Sequence, residues 1–292
     1  MVRPSDHKCS LTIHMTYTDD FYINVVHVCH TTFIYLHVLV DALEHFFWNT
    51  QGGVVIELGA LDGTLASISQ SLAFEQFNWR RILIDGNPSY REVLSQQLQS
   101  FAVNAAICKD RRTVHYAVHP NQNKVMSSGI LEFMPEHHLK TYFKQMYKTR
   151  QRNNNTFDGL EWPVNPQVHA VHCLPVGDIL TKAKVTRVNF FILDVEGAEL
   201  SILDSFDFDK YQVDVFVIEG GVGFPSLRRF FKDKPYEEVV IRGRNIWLKH
   251  VDFVPSERKG VHKLCYRGSV RSGIPPRGHR AHCSKNSVDY FS

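Results

Sequence analysis

The 292-residue sequence predicts an α/β fold built on a mostly parallel sheet that closes with an antiparallel hairpin. Three observations lead there. From residue 54 onward, short and almost continuously apolar runs alternate with stretches of helical periodicity, the pattern of strands buried on both faces. Glycines and carboxylates stand directly after several of those runs, where open α/β sheets bind ligands. The last two runs are joined by Arg242-Gly243-Arg244, a turn suited to a hairpin.

Before the sheet, Phe33, Leu36, Val40, Leu43 and Phe47 recur at helical spacing, with Asp41 and Glu44 off the apolar stripe. Residues 21–40 contain no Asp, Glu, Lys or Arg, and about 20 such residues suffice to span a bilayer. Asn24, Thr31, Thr32 and three histidines (His27, His30, His37) interrupt that run, so an amphipathic helix packed on the sheet is the expectation. After the turn at 49–53, residues 54–58 read as the first strand, followed by a helical stretch carrying Leu65, Ile68, Leu72 and Phe74. Residues 81–85 form the second strand and 88–98 its helix, with Pro88 suited to the first turn. Residues 101–107 read as the third strand and 113–118 as an added one.

Between 120 and 165 the alternation stops. A helix is expected over 137–150, and this insertion is either a surface elaboration or a cover for a substrate. Strands then resume at 188–194 and 213–219, each followed by a helix (198–205 and 225–231), before the closing strands 237–241 and 245–250. The chain thus divides into an N-terminal extension (1–53), a main domain (54–254) and an irregular basic tail (255–292). In that tail His262, Cys265, His279, His282 and Cys283 are zinc-type ligands, but their spacing matches no tight motif.

Composition narrows the function. With 33 basic and 30 acidic residues the net charge is +3, too small to argue for nucleic acid or a firm membrane partner. Six cysteines are spread along the chain without a CxxC pair. Cys108 and Cys173 lie in or beside apolar runs and read as reduced core residues, which points to a reducing, cytoplasmic setting.

The chemistry concentrates in three segments. The loop Glu57-Leu58-Gly59-Ala60-Leu61-Asp62-Gly63 follows the first strand, and its glycines permit close backbone approach to a ligand. Glu57 stands where a dinucleotide fingerprint would have its first glycine, which disfavours a nicotinamide cofactor and suits a cationic ligand. Asp85 ends the second strand, 26 residues after Gly59, where a carboxylate accepts hydrogen bonds from ribose hydroxyls. Asp194 ends a later strand and opens Asp194-Val195-Glu196-Gly197-Ala198-Glu199, in which Glu199 reads as a capping or surface acid.

The run from Phe190 through Asp194-Val195-Glu196-Gly197-Ala198-Glu199 to Leu200 resembles the signature of FkbM-type methyltransferases. Val55-Ile56-Glu57-Leu58-Gly59-Ala60, Leu83-Ile84-Asp85-Gly86-Asn87-Pro88 and Asn104-Ala105-Ala106-Ile107-Cys108 resemble that family's earlier motifs, in order. The resemblance covers roughly 54–254, except the insertion. It implies a Rossmann-like methyltransferase sheet, S-adenosylmethionine as cofactor, and a hydroxyl acceptor on a sugar, glycan or other small natural product. Carried onto this chain, Glu57, Gly59, Ala60, Asp62 and Gly63 would line the methionine end. Asp85 would serve the ribose and Ala105 and Ala106 the adenine edge, with Asn87 also among the cofactor-binding residues. Ser67-Ile68-Ser69 replaces the family's usual Ser-Asn-Thr, which puts a polar contact from that segment in question. Asp194 is the expected catalytic base or positioning carboxylate, with Glu196 or Glu219 assisting. No residue is assigned to a metal, and a divalent cation on Asp194 and Glu219 is the alternative. A non-catalytic binding protein on the same fold is the competing reading of function.

Overall fold

The computed structural model describes residues 12–16, 22–26, 32–64, 67–70, 77–97, 100–121, 127–157, 160 and 167–257. An antiparallel pair, β1 (Thr12–Thr16) and β2 (Tyr22–Val26), precedes helix α1 (Thr32–His45). Strands β3 (Val54–Leu58) and β4 (Arg80–Asp85) follow, then the short helix α2 (Arg91–Ser95) and β5 (Ser100–Asn104). Next come β6 (Ala106–Ile107), β7 (Arg112–Ala117), β8 (Gly129–Ile130), helices α3 (Glu136–Tyr142) and α4 (Lys144–Arg152), and β9 (Val168–Leu174). The last described elements are α5 (Val176–Ala183), β10 (Arg187–Leu193), α6 (Glu199–Asp204), β11 (Gln212–Glu219), α7 (Phe224–Phe231), β12 (Tyr236–Arg242) and β13 (Asn245–His250).

The central sheet has the order β12-β13-β11-β10-β3-β4-β5. Its five strands from β11 to β5 are parallel, and β13 and β12 add on antiparallel. This is the mostly parallel sheet with a closing hairpin that the sequence predicts, and it is compatible with a Rossmann-like fold. Side chains alternate across the sheet, so the apolar runs serve two cores. Val55, Phe190, Ile192, Val215 and Val217 face α1, where Phe46, Phe47, Trp79 and Trp247 complete an aromatic cluster. Ile56, Phe191, Leu193, Phe216 and Ile218 face α5, α6 and α7 on the other side. Each such fully buried side chain contributes about 1.5–3 kcal/mol.

Several expectations are corrected. The third strand does not run unbroken over 101–107: Ala105 N bonds Asp85 O at 3.0 Å, the chain turns there, and β6 leaves the central sheet. It joins a second sheet of order β6-β9-β7-β8, which also takes the added strand β7. The helix expected over 137–150 is two helices broken at Phe143. Asp41 is not off the buried face of α1 but 5% exposed, tied to Arg242 at 2.5 Å, while Val40 is only partly buried. The side chains at 33 and 36 lie outside the described set, as do residues 65, 72 and 74 of the expected helix and the zinc-type ligands of the tail. Cys108 and Cys173 are not reduced but joined in a disulfide between the end of β6 and β9. The expectation of a reducing compartment rests on reduced cysteines, and the bond removes that support. The described residues within 21–40 belong to β2 and α1, and no helix among the described residues is long and apolar enough to cross a membrane.

Candidate active site

β3 and β10 are neighbours, yet β4 lies on the far side of one and β11 on the far side of the other. Connections leave this pair in opposite directions, and such a switch point opens a crevice at the carboxyl ends of the strands. A cavity of about 520 Å³ occupies that place, with Glu57, Gly59, Asp85, Ala105, Ala106, Asp194, Glu196 and Glu219 among its walls. Ala60, Asp62, Gly63 and Asn87 are not on the walls. Ala60 packs behind the loop on Leu83 and Leu94, and the Asp62 carboxylate accepts from Thr64 instead of facing the cavity.

Asp85 organises two loops at once. Its Oδ2 accepts Leu61 N and its Oδ1 accepts Asn87 N, both at 2.7 Å. Leu61 has φ +51, a left-handed conformation costly for leucine, and this hydrogen bond helps hold it. Burial pushes the Asp85 carboxyl up to about 7 despite those two donors. Asn87 therefore acts by bracing Asp85 and the following turn, where its Oδ1 accepts Ser89 N.

Glu57 lies on the cavity wall with its carboxylate engaged by the following loop. Its carboxylate accepts from Ser67 Oγ, Ile68 N, Ser69 N and Ser69 Oγ at 2.6, 2.8, 3.3 and 2.5 Å. Ser67, where the family also has Ser, and Ser69, where it commonly has Thr, thus satisfy Glu57 together with the backbone of residues 68 and 69. Arg81 Nε reaches Ser69 Oγ behind them at 3.0 Å.

The walls also carry Asp194, just past β10, Glu196, and Glu219 at the end of β11. Glu196 has φ +54 and Gly197 φ +107, so the backbone is strained where it presents Glu196 to the cavity. Burial raises all three carboxyls. Asp194 is raised by burial alone, Glu196 to about 7 by burial and the charge of Asp194, and Glu219 to about 9 by burial and then Asp194. Arg244, in the hairpin turn, opposes this and contacts Glu219 Oε1 at 2.8 Å. Glu199, expected as a surface or capping acid, is fully buried, accepts Gly197 N at 3.0 Å, and is raised by burial to about 7.

The insertion closes the cavity. Ser127, Ser128 and Tyr142 line it, and Pro135, which precedes α3, packs so tightly on Gly197 that any side chain there would overlap it. One turn into α3, His138 Nε2 donates to Ser127 O at 2.7 Å, which leaves Nδ1 as an acceptor 3.6 Å from Glu196 Oε2. Burial lowers the His138 pKa, favouring the neutral ring.

The profile described as Methyltransferase FkbM domain matches residues 57–237, well over half of the chain. The chain belongs to the FkbM methyltransferase family. A comparison with curated proteins finds no match.

Within this FkbM domain, sequence reasoning misses Tyr116, His138, Tyr142 and Arg244. Tyr116 sits on β7 with its ring against Gly86, and burial holds its hydroxyl protonated. Its position in an apolar strand carried no signal of a site. Arg244 was visible only as part of a turn, and the two lid residues as part of an unmatched insertion.

Proposed function

We propose that this chain transfers a methyl group from S-adenosylmethionine to a hydroxyl of a sugar or other small natural product. The observation that carries the reading is the meeting of Asp85, the Gly59 loop and Asp194 on the walls of one switch-point cavity. The donor set fits the cofactor. Each Asp85 oxygen keeps a second lone pair for a ribose hydroxyl, and the small side chains of Ala105 and Ala106 leave room for a flat base beside Tyr116. Glu57, satisfied by its serine partners, contributes negative charge near the methionine end.

S-adenosylmethionine supplies a methyl group already activated on a sulfonium. What remains for the chain is alignment and proton removal. Asp194 takes the position nearest the acceptor, as base or positioning carboxylate, with Glu196 or Glu219 assisting. The lid residues His138 and Tyr142 exclude water from that side and narrow the acceptor space.

Calorimetry with S-adenosylhomocysteine tests the cofactor site. Wild type binds, and Asp85→Ala and the milder Asp85→Asn each weaken binding at least tenfold. A folded wild type that does not bind removes the reading. Asp194→Asn is expected to keep cofactor binding and lose turnover; binding without turnover on any acceptor by wild type would favour a non-catalytic protein.

A further inference from the structure

One carboxylate oxygen each from Asp194, Glu196 and Glu219 lies within 4.8 Å of the others. Oxygens bound to a single Ca²⁺ at about 2.3–2.6 Å lie at most about 5 Å apart across the ion, so this is the spacing of one coordination shell. Acidic clusters are common without ions, and Glu219 is what distinguishes this one. The residue is 5% exposed, and its Oε2 is buried without a hydrogen-bond partner among the described residues. One oxygen of its carboxyl group lies within 4.8 Å of an oxygen of Asp194. A buried carboxylate oxygen set against a second carboxylate lacks a positive partner.

The neighbouring groups do not supply one. Arg244 engages the other oxygen of Glu219, and its side chain is 70% exposed at the rim. His138 turns an acceptor nitrogen toward Glu196. Carboxylate oxygens with no soft ligand among them suit a hard cation.

We propose that Asp194, Glu196 and Glu219 bind one hard divalent cation of the Mg²⁺, Mn²⁺ or Ca²⁺ class. All three ligands line the cavity, so the remaining coordination positions face the space assigned to the acceptor hydroxyl. That last placement rests on the methyl-transfer reading; the binding of the ion does not. Asp194 then acts as a positioning residue through the ion.

Mn²⁺ titration of the chelator-treated full chain, followed by the paramagnetic resonance signal of the free ion, tests the site. Wild type takes up one Mn²⁺ per chain, and Mg²⁺ or Ca²⁺ displaces it. Asp194→Asn and Glu219→Gln each weaken uptake at least tenfold. Neither lowers the metal-free melting temperature, because each amide keeps the shape of the carboxyl group it replaces, and both lose the rise that Mn²⁺ gives wild type. A folded wild type that leaves millimolar Mn²⁺ free overturns the proposal, the carboxyls then being satisfied by a shared proton. Variants that bind as tightly as wild type overturn it too. Uptake of Mn²⁺ without binding of S-adenosylhomocysteine upholds the cation site and removes the methyl-transfer reading instead.

Discussion

Gly59 and Asp194 approach so closely that a Cβ on Gly59 would overlap the carbonyl oxygen of Asp194. The contact lies where β3 and β10 end side by side, with Asp194 N donating to Leu58 O at 3.1 Å. Gly59 also has φ +92, so two independent constraints exclude a side chain. Gly59→Ala is expected to cost about 3 kcal/mol or more, from backbone strain plus overpacking, and to displace the Asp194 carboxylate. Gly52→Ala is the control, since Gly52 has φ +66 but nothing within 4 Å of the added carbon. It should lose only about 1 kcal/mol in a urea melt. Equal losses would show that the strand ends are not pressed together.

The Cys108–Cys173 bond spans 65 residues and fastens the second sheet where β6 and β9 pair. Closing a loop of that length in the unfolded chain corresponds to about 4 kcal/mol by chain entropy, and measured values commonly fall at about 2–4. Reduction, or Cys173→Ala, should therefore lower stability by a few kcal/mol and loosen the wall carrying Ala106 and Tyr116. Alkylation and mass analysis of the unfolded chain, with and without reductant, checks the bond itself. Labelling of both cysteines without reductant would refute it.

Pro135 rests on Gly197, and His138 faces Glu196, so the lid is keyed to the Asp-Val-Glu-Gly segment at two adjacent residues. Gly197→Ala cannot keep the contact with Pro135. Hydrogen exchange should then speed up in α3 by at least tenfold, while β10 and β11 stay protected. Unchanged exchange in α3 would mean that the lid is held by its own core of Leu131, Leu139 and Met146.

Much of the central sheet is legible in the sequence because each parallel strand carries a largely apolar run, and Asp85 and Asp194 stand out by ending such runs. Residues that depend on long-range pairing are not legible. Ala105 divides an apolar stretch that reads as one strand, and only the pairing of Ala106 with Cys173 reveals the second sheet. No local pattern shows that Ser67 and Ser69, ten and twelve residues away, hold the Glu57 carboxylate. His138 carries no periodic or spacing signal, since its partner Glu196 belongs to another motif entirely. Asp41 shows how a helical stripe misleads: its partner Arg242 lies 201 residues on, and no local pattern announces it.

That pair gives a pH-dependent prediction. Burial raises the Asp41 carboxyl from 3.8 to about 7, against the opposing charge of Arg242. Between about pH 4 and 7 the folded chain holds a proton that the unfolded chain has released, so this group makes stability fall as pH rises through that window. Above about 7 both states are ionised and its contribution is level. Arg242→Gln removes the guanidinium that favours the ionised form and moves the folded pKa further up. The variant should thus lose more stability at pH 8 than at pH 5, where Asp41 is already protonated. Breaking a buried pair costs about 3–5 kcal/mol; with the Arg242 side chain 48% exposed, about 1–2 kcal/mol is expected at pH 8. Urea melts of wild type and variant at the two pH values measure the difference, and an equal loss at both would show that Asp41 does not titrate with folding.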